Sequence, residues 1–159
     1  MPARTHFDHE KLHVYQLELD LISWLSELIS ELQSAKRPRL AEVIDQLDRT
    51  SLSALLNTAE GNGRRATQQR VRFFDDARGS ATECAACLDA LVAKKACEAG
   101  RVVGGKAKLL SVVSILTTLI EKFGGDGNAS SAAGTRRVSD AARSGGGVRA
   151  GARGGFTEP

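Results

Sequence analysis

Apolar residues recur every three or four positions along most of this chain, which is the spacing of one face of an α-helix. The clearest case lies in the middle of the chain, where the spacing alternates strictly between three and four at Phe74, Ala77, Ala81, Cys84, Leu88 and Leu91. The periodic segments predict four helices, at residues 9–34, 38–59, 67–95 and 106–123. No strand-like alternation competes with them, and the connections are mostly short. The pattern therefore predicts an all-α protein, an antiparallel up-down four-helix bundle.

Each of the other helices has its own apolar positions, which we expect to form the core. In the first helix they are Val14, Leu17, Leu21, Leu25, Leu28 and Leu32. In the second they are Leu40, Val43, Ile44, Leu47, Leu55 and Leu56, and in the fourth they are Leu109, Val113, Leu116, Ile120 and Phe123. The first helix also carries a second apolar line at Tyr15, Ile22 and Ile29. One stripe suffices for a helix in an isolated bundle, so the second line indicates a wider buried face or a contact between subunits.

Proline and glycine mark the predicted boundaries. Pro38 starts the second helix, and Gly61-Asn62-Gly63 is expected to end it, since glycine readily takes the left-handed conformation of a helix terminus. Residues 100–105 are predicted to be a loop, and Gly124-Gly125 to end the fourth helix. The remainder holds ten of the chain's 16 glycines and buries too little apolar surface to offset its ordering entropy. The predicted organisation is an arm at 1–8, a bundle at 9–123 and a disordered Gly/Arg-rich tail at 124–159.

Positive charge is concentrated in two clusters, although the net charge of the chain is only +3. The clusters consist of Lys36, Arg37 and Arg39, and of Arg64, Arg65, Arg70, Arg72 and Arg78. Local basic patches attract phosphate even when the net charge is small, so both clusters are predicted to bind nucleic acid. The alternative is a solvated helix face whose arginines form salt bridges with Asp75 and Asp76 or with neighbouring subunits.

Polar residues also interrupt the helices beside the second cluster. Ser53, Asn57 and Glu60 share one face of the second helix, and Ser80 and Glu83 share a face of the third. We expect these five to form a polar layer between the two helices, with Arg49 or Arg72 balancing a glutamate. Buried polar groups of this kind can fix helix register, and a ligand-binding or catalytic role is the alternative. Because no nucleophile or base accompanies the carboxylates, the sequence predicts no catalytic site.

Two short motifs resemble metal or redox sites. His9-Glu10-Lys11-Leu12-His13 fits a zinc-protease pattern, with both histidines predicted on one helical face. The motif lies in a terminal turn and lacks a third ligand within reach, so no metal is predicted. Cys84 and Cys87 have C-x-x-C spacing but lie on an apolar helical stripe, and we interpret them as small buried side chains. No cofactor is expected.

The N-terminus is polar and shows no signal peptide, which makes the cytoplasm the expected location. The longest apolar stretch, at 109–120, is too short to span a bilayer, so no membrane is expected as a partner.

The central region resembles the 23S ribosomal RNA intervening-sequence proteins, a family of four-helix bundles. The matching positions are Ser53, Asn57, Ala59, Glu60, Gly61, Gly63 and Arg64, followed by Arg72, Phe73, Ala77, Gly79, Ser80 and Glu83. The first helix is similar as well, at Phe7, Leu12, Val14, Tyr15 and Gln16. The chain departs from the family pattern at Ala54 and Thr58, where larger apolar residues are usual, and at the acidic pair Asp75-Asp76.

This resemblance implies a ring-shaped homopentamer and a role in nucleic-acid binding. Accessory proteins of diversity-generating retroelements resemble the same bundle, which implies reverse transcriptase as an alternative partner. Our prediction is a non-enzymatic nucleic-acid-binding or scaffolding protein that contacts structured RNA through the basic patches of the ring. Few aromatic side chains are expected on the surface, so recognition of backbone or shape is favoured over base-specific readout of single strands. The alternative is a protein-interaction adaptor such as a reverse-transcriptase accessory subunit.

Overall fold

The computed structural model describes the backbone of residues 6–35 and 40–140, and the side chains of residues 6–35 and 40–125. A short 3-10 helix, Asp8–Lys11, precedes four α-helices: α1 His13–Ser34, α2 Ala41–Gly63, α3 Thr67–Ala93 and α4 Ala99–Asp140. No strand occurs among the described residues, so the prediction of an all-α protein with four helices is confirmed. One compact unit, Met1–Gly127, contains the bundle, and a second, Asn128–Pro159, contains the last residues of α4.

Side-chain contacts between neighbouring helices show that consecutive helices run antiparallel. As the residue number rises along one helix, it falls along its neighbour. The pairs that establish this are Ser53–Ser80 and Gln46–Glu83 for α2 and α3, and Asp89–Lys106 and Phe74–Phe123 for α3 and α4. On α1 and α2, Glu18 contacts Thr58 at the end opposite to the short connection between the two helices.

The core follows the predicted spacing most closely on α3. Its buried residues are Phe74, Ala77, Ala81, Cys84, Leu88 and Leu91, as the sequence predicts. On α1, Leu17 is partly buried and packs against the core, while its neighbour Glu18, which was not predicted to be a core residue, is fully buried. On α2, Leu56 is 58% exposed rather than buried, and the small or polar residues Thr50, Ser51, Ala54 and Thr58 face the interior.

Glycine at position 61 allows α2 and α3 to approach closely and does not end α2. The helix continues to Gly63, with Gly61 buried. A Cβ atom added at Gly61 would lie 2.9 Å from the Phe74 ring and 3.1 Å from Phe73 Cβ. The helix therefore ends within the predicted Gly61-Asn62-Gly63 segment, but four residues later than the predicted boundary at Ala59. Gly61 itself makes room for aromatic packing.

A similar contact explains why residues 100–105 are helical rather than a loop. The helix α4 begins at Ala99, and Gly105 is buried beneath the indole ring of Trp24, which a Cβ at this position would overlap. Arg101 also lies over the indole, with its guanidinium carbon 5.2 Å from the ring centroid, and makes two hydrogen bonds to Glu31 of 2.8 and 3.0 Å. These hydrogen bonds lower the pKa of Glu31. The glycines thus accommodate a tryptophan that joins α1 to α4.

The fourth helix is also longer than predicted at its C-terminal end. It continues through Gly124-Gly125 to Asp140, since glycine weakens a helix by only about 1 kcal/mol per residue and does not forbid it. The predicted disorder of the tail beyond Asp140 concerns residues outside the described part of the chain.

By length and composition alone, Ala99–Gly125 is apolar enough to cross a membrane. This segment is longer than the apolar stretch predicted at 109–120, because the helix begins earlier, at Ala99. Four of its residues contribute to the bundle core: Val102, Leu109, Val112 and Leu116. Core packing therefore accounts for only part of the apolar composition, because 22% of the most apolar window is buried.

Candidate nucleic-acid interface

A three-residue connection between α2 and α3 carries the first arginines of the second cluster. The helix α2 ends at Gly63, and Arg64 takes an extended conformation with φ −78° and ψ 131°. Its backbone nitrogen donates a hydrogen bond of 3.3 Å to the Gly61 carbonyl, and Thr67 begins α3. The connection therefore places Arg64 and Arg65 at one end of the bundle, beside the first turn of α3.

Arg64 and Arg70 hold this turn together. The Arg70 guanidinium donates hydrogen bonds of 2.6 and 3.1 Å to the carbonyl of Arg64 and stacks 4.7 Å from the centroid of Phe123. Arg64 forms an ion pair with Glu60 and lies 5.0 Å above the Phe73 ring. Both side chains are thus engaged within the protein, although their partners are Glu60 and a backbone carbonyl rather than Asp75 and Asp76, the partners that the sequence analysis named.

Arg78 is also neutralised within the protein. Its guanidinium donates hydrogen bonds of 2.7 and 3.2 Å to Asp75 Oδ1, three residues earlier on α3. Asp75 is one of the two acidic residues at which the chain departs from the family pattern. The departure therefore removes one arginine from the set available to phosphate.

Arg65 and Arg72 differ from these three arginines. Both side chains are exposed, and neither forms an ion pair with any of the residues that the structure describes. Arg72 borders a surface pocket of about 370 Å³, lined by Arg64, Gln69, Arg72, Phe73 and Asp76. Of the predicted second cluster, Arg65 and Arg72 thus keep their charge available for a ligand. Lys36, Arg37 and Arg39, the predicted first cluster, lie outside the described residues.

Part of the predicted polar layer is brought together between α2 and α3. The hydroxyl oxygens of Ser53 and Ser80 are 3.0 Å apart, and Asn57 Nδ2 donates to the Ser53 carbonyl at 3.0 Å and to Ser53 Oγ at 3.2 Å. Glu60 does not join this layer, because it is exposed and paired with Arg64 at the end of its own helix.

The remaining predicted members meet at the exposed edge of the same interface. Gln46 Nε2 donates a hydrogen bond of 2.5 Å to Glu83, and Arg49 donates to Gln46 Oε1. Arg49 is thus connected to Glu83 through a glutamine that the sequence analysis did not single out. Arg72, the other arginine expected to balance a glutamate, makes no such contact in the described structure.

The deepest polar residue is one that the sequence analysis missed. Glu18 is only 1% exposed, and its Oε1 accepts a hydrogen bond of 2.8 Å from the Thr58 hydroxyl. Its Oε2 is buried without a hydrogen-bond partner among the described residues. Burial raises the pKa of Glu18 to about 7, while the hydrogen bond from Thr58 acts in the opposite direction. Thr58 is a position where the chain departs from the family pattern, and this departure was the available signal of a polar partner.

The two motifs that resemble metal or redox sites lie at the start of α1 and in the middle of α3. Leu12 is extended, with ψ 126°, so His9 lies in the 3-10 helix and His13 begins α1. The prediction that both histidines share one helical face is therefore wrong. No group of three metal-ligating side chains occurs among the described residues. Burial raises the pKa of the Cys84 thiol to about 12, which disfavours the reactive thiolate.

The chain was compared with models of protein families and with curated proteins, and the first comparison supports the family resemblance noted in the sequence. The family model described as 23S rRNA-intervening sequence protein matches residues 10–118. The match contains the arginine turn, the polar contacts between α2 and α3, and Glu18 with Thr58. No curated protein matches the chain.

Proposed function

Since the chain belongs to the 23S rRNA-intervening sequence protein family, we propose that it is a non-enzymatic, cytoplasmic protein that binds structured RNA through the arginine turn. The observation that carries the proposal is the exposure of Arg65 and Arg72 without carboxylate partners in the described structure. An arginine that is not neutralised keeps its planar set of donors for phosphate oxygens. The two side chains border a turn whose backbone is held in place by Arg70, so little reordering of the backbone is needed on binding.

We propose further that the protein acts as a ring-shaped homopentamer. The resemblance to the family supports this assembly, and so do the large apolar side chains that remain exposed, such as Leu52, Leu56 and Leu110 at 48%, 58% and 69%. A ring repeats the arginine turn around its rim. Weak contacts at each copy would then add through multivalency, provided that one RNA reaches several copies.

The test is RNA binding by purified, nuclease-treated protein over a salt series, comparing the wild type with Arg65→Ala/Arg72→Ala. Each phosphate contact contributes about 0.7–0.9 to the slope of log affinity against log salt. Loss of two contacts at a single turn should lower the affinity on the order of tenfold or more and reduce the slope by about 1.5. Light scattering of both proteins reports the oligomeric state in the same samples.

The matched control is Arg78→Ala/Lys106→Ala. It removes the same number of positive charges from side chains that are already paired with Asp75 and Asp89. We expect this control to bind RNA much more tightly than Arg65→Ala/Arg72→Ala. Equal losses in the two double variants would assign the effect to net charge and contradict a site at the turn. Absence of binding at low salt would reject the RNA function.

A second function, a protein-interaction adaptor such as a reverse-transcriptase accessory subunit, is favoured by the apolar surface of α2. Leu52 and Leu56 are one turn apart and are both largely exposed, which is typical of a protein contact when such residues cluster. In Leu52→Glu/Leu56→Glu, loss of the oligomer would assign the face to self-assembly. Retention of the oligomer with loss of co-purification with a reverse transcriptase would support the adaptor function.

A further inference from the structure

The pocket beside the arginine turn is lined by an aromatic ring and a carboxylate in addition to the arginines that a phosphate site requires. We call it the turn pocket; its lining residues are Arg64, Gln69, Arg72, Phe73 and Asp76, and its volume is about 370 Å³. Four of them project from one face of α3 because their spacings are three, one and three. The volume is at the small end of the roughly 300–1,000 Å³ that small-molecule sites occupy.

Both signs of charge in the turn pocket are available to a ligand. Arg72 and Asp76 are four residues apart on α3, yet they form no ion pair with each other or with any other described residue. The neighbouring Asp75 is already paired with Arg78. A carboxylate at this position repels a ligand that is only an anion. The ligand that fits must offer hydrogen-bond donors to Asp76 in addition to negative charge for Arg72.

One wall of the turn pocket is a preformed flat surface. The Arg64 guanidinium lies 5.0 Å above the Phe73 ring and is held there by its ion pair with Glu60. The Arg64 side chain is 42% exposed, so this stack has an accessible side. Guanidinium planes and aromatic rings are the surfaces on which proteins stack unpaired RNA bases.

We propose that the turn pocket binds one unpaired guanine nucleotide of the RNA, an inference that rests on the RNA-binding function proposed above. The base stacks against the exposed side of the Arg64 guanidinium, which rests on the Phe73 ring. The Asp76 carboxylate accepts hydrogen bonds from the base, and Arg72 binds the adjacent phosphate. Guanine is the base that fits, because its Watson–Crick edge carries two adjacent donors, the ring N–H and the amino group. Adenine, cytosine and uracil do not present two adjacent donors to a carboxylate.

The test compares hairpin RNAs that are identical except for one bulged nucleotide, guanine, adenine, cytosine or uracil, with a fully paired hairpin. Binding is measured by fluorescence anisotropy, and the five hairpins are compared at each of several salt concentrations. The bulged-guanine hairpin should bind about tenfold more tightly than the other four, a difference within the range for one bidentate base contact. In Asp76→Asn this preference should disappear while binding to the paired hairpin is retained or strengthened, because a negative charge has been removed.

The matched control is Asp75→Asn, which changes the charge equally at the next residue and should preserve the guanine preference. A second variant, Phe73→Leu, keeps an apolar side chain beside Gly61 but removes the ring, and it should lose the preference without losing salt-dependent binding. Thermal melting of each variant verifies that it is folded.

The outcomes separate this inference from the proposed function. Equal binding of all five hairpins, with normal salt dependence and the expected loss in Arg65→Ala/Arg72→Ala, would overturn the guanine site and leave RNA binding intact. A guanine preference that persists in Asp76→Asn would also overturn it, since the carboxylate would then not read the base. Failure of wild-type protein to bind any hairpin at low salt would reject both.

Discussion

Helix α2 makes polar contacts with both of its neighbours, and the two contacts are built in different ways. Toward α1, the Thr58 hydroxyl donates to Glu18, an ionisable residue that is 1% exposed and has one carboxylate oxygen without a partner in the described structure. Toward α3, Ser53, Asn57 and Ser80 form a neutral, half-buried cluster. The first contact places an ionisable group in the core, and the second places only hydroxyl and amide groups at its margin.

This difference shows that the burial of a polar contact determines both how much it contributes to stability and whether that contribution depends on pH. A hydroxyl pair at the margin gains a hydrogen bond and loses little solvation, so its effect is small and independent of pH. Burial in the core removes far more solvation free energy from an ionised carboxyl group than from a neutral one. This is why the pKa of Glu18 rises to about 7. The stability of the contact with α1 must therefore depend on pH, and that of the contact with α3 must not.

The largest effect is expected from Glu18→Gln, which keeps the shape of the side chain and removes its ionisation. The folded state holds its proton up to a pKa of about 7, whereas the reference value is 4.5. As pH rises between these values the unfolded state ionises first, so the wild type loses stability and the glutamine variant does not. At about 1.4 kcal/mol for each tenfold change in an ionisation constant, this amounts to roughly 3 kcal/mol.

Urea unfolding at pH 4, 6 and 8, at one protein concentration, measures this difference. The free energy of unfolding of Glu18→Gln relative to wild type should rise across this range, with most of the rise complete near the pKa of about 7. A difference that is constant from pH 4 to pH 8 would show that Glu18 is hydrated in the folded protein, and the comparison between the two contacts would fail.

The next effect is expected from Thr58→Val, which leaves the Glu18 carboxylate without its hydrogen bond. We expect a loss of roughly 1–3 kcal/mol, because a buried polar group without a partner bears its full desolvation cost. Since the Thr58 hydrogen bond lowers the pKa of Glu18, its removal should raise that pKa further and make the loss greater at pH 8 than at pH 4. In Glu18→Leu/Thr58→Val both polar groups are gone, and stability at pH 8 should match or exceed that of wild type. A pH-independent loss in Thr58→Val would contradict this account.

The sequence predicted the α3 contact better than the α1 contact for a physical reason. Ser53, Asn57 and Ser80 stand out because small polar residues at helical spacing face one another across a glycine-containing turn. Glu18 has no such mark: glutamate is a good helix former and usually lies on the exposed face. The rotation of α1 about its own axis decides whether Leu17 or Glu18 enters the core, and that rotation depends on packing against the other helices.

The same limit applies to the arginine turn. The sequence identified a basic cluster, but it did not distinguish the arginines that bind within the protein from those that remain available. That distinction depends partly on contacts between residues far apart in the sequence, such as Arg70 with Phe123. It also depends on which partner Arg78 takes, and in the structure it pairs with Asp75, one helical turn away, rather than remaining available to an external anion. The glycines show it too. The sequence predicts a helix end at Gly61 and a loop at Gly105, but both are helical and buried against aromatic rings of other helices, contacts that a local pattern does not contain.

A smaller effect is expected from Ser80→Ala. The Ser80 hydroxyl contacts Ser53 Oγ at 3.0 Å and the Asp76 carbonyl at 3.0 Å, in a half-buried position. Its loss should cost about 1 kcal/mol, since water can solvate part of what remains. Because no ionisable group takes part in the contact, the cost should be the same at pH 4 and pH 8. A cost that varies with pH would link this cluster to Glu18 and contradict the independence of the two contacts.

The smallest effect is expected from Gln46→Ala, at the exposed edge of the α3 interface. Gln46 connects Arg49 to Glu83, but Arg49 and Glu83 are both exposed and can be solvated when it is removed. Exposed pairs of this kind contribute about 0–1 kcal/mol, and added salt weakens them. The expected cost in urea unfolding is therefore below that of Ser80→Ala and falls as salt is raised. A cost equal to that of Ser80→Ala and insensitive to salt would mean that the polar layer extends to Glu83, and that exposure underestimates how strongly this edge fixes the register of α2 against α3.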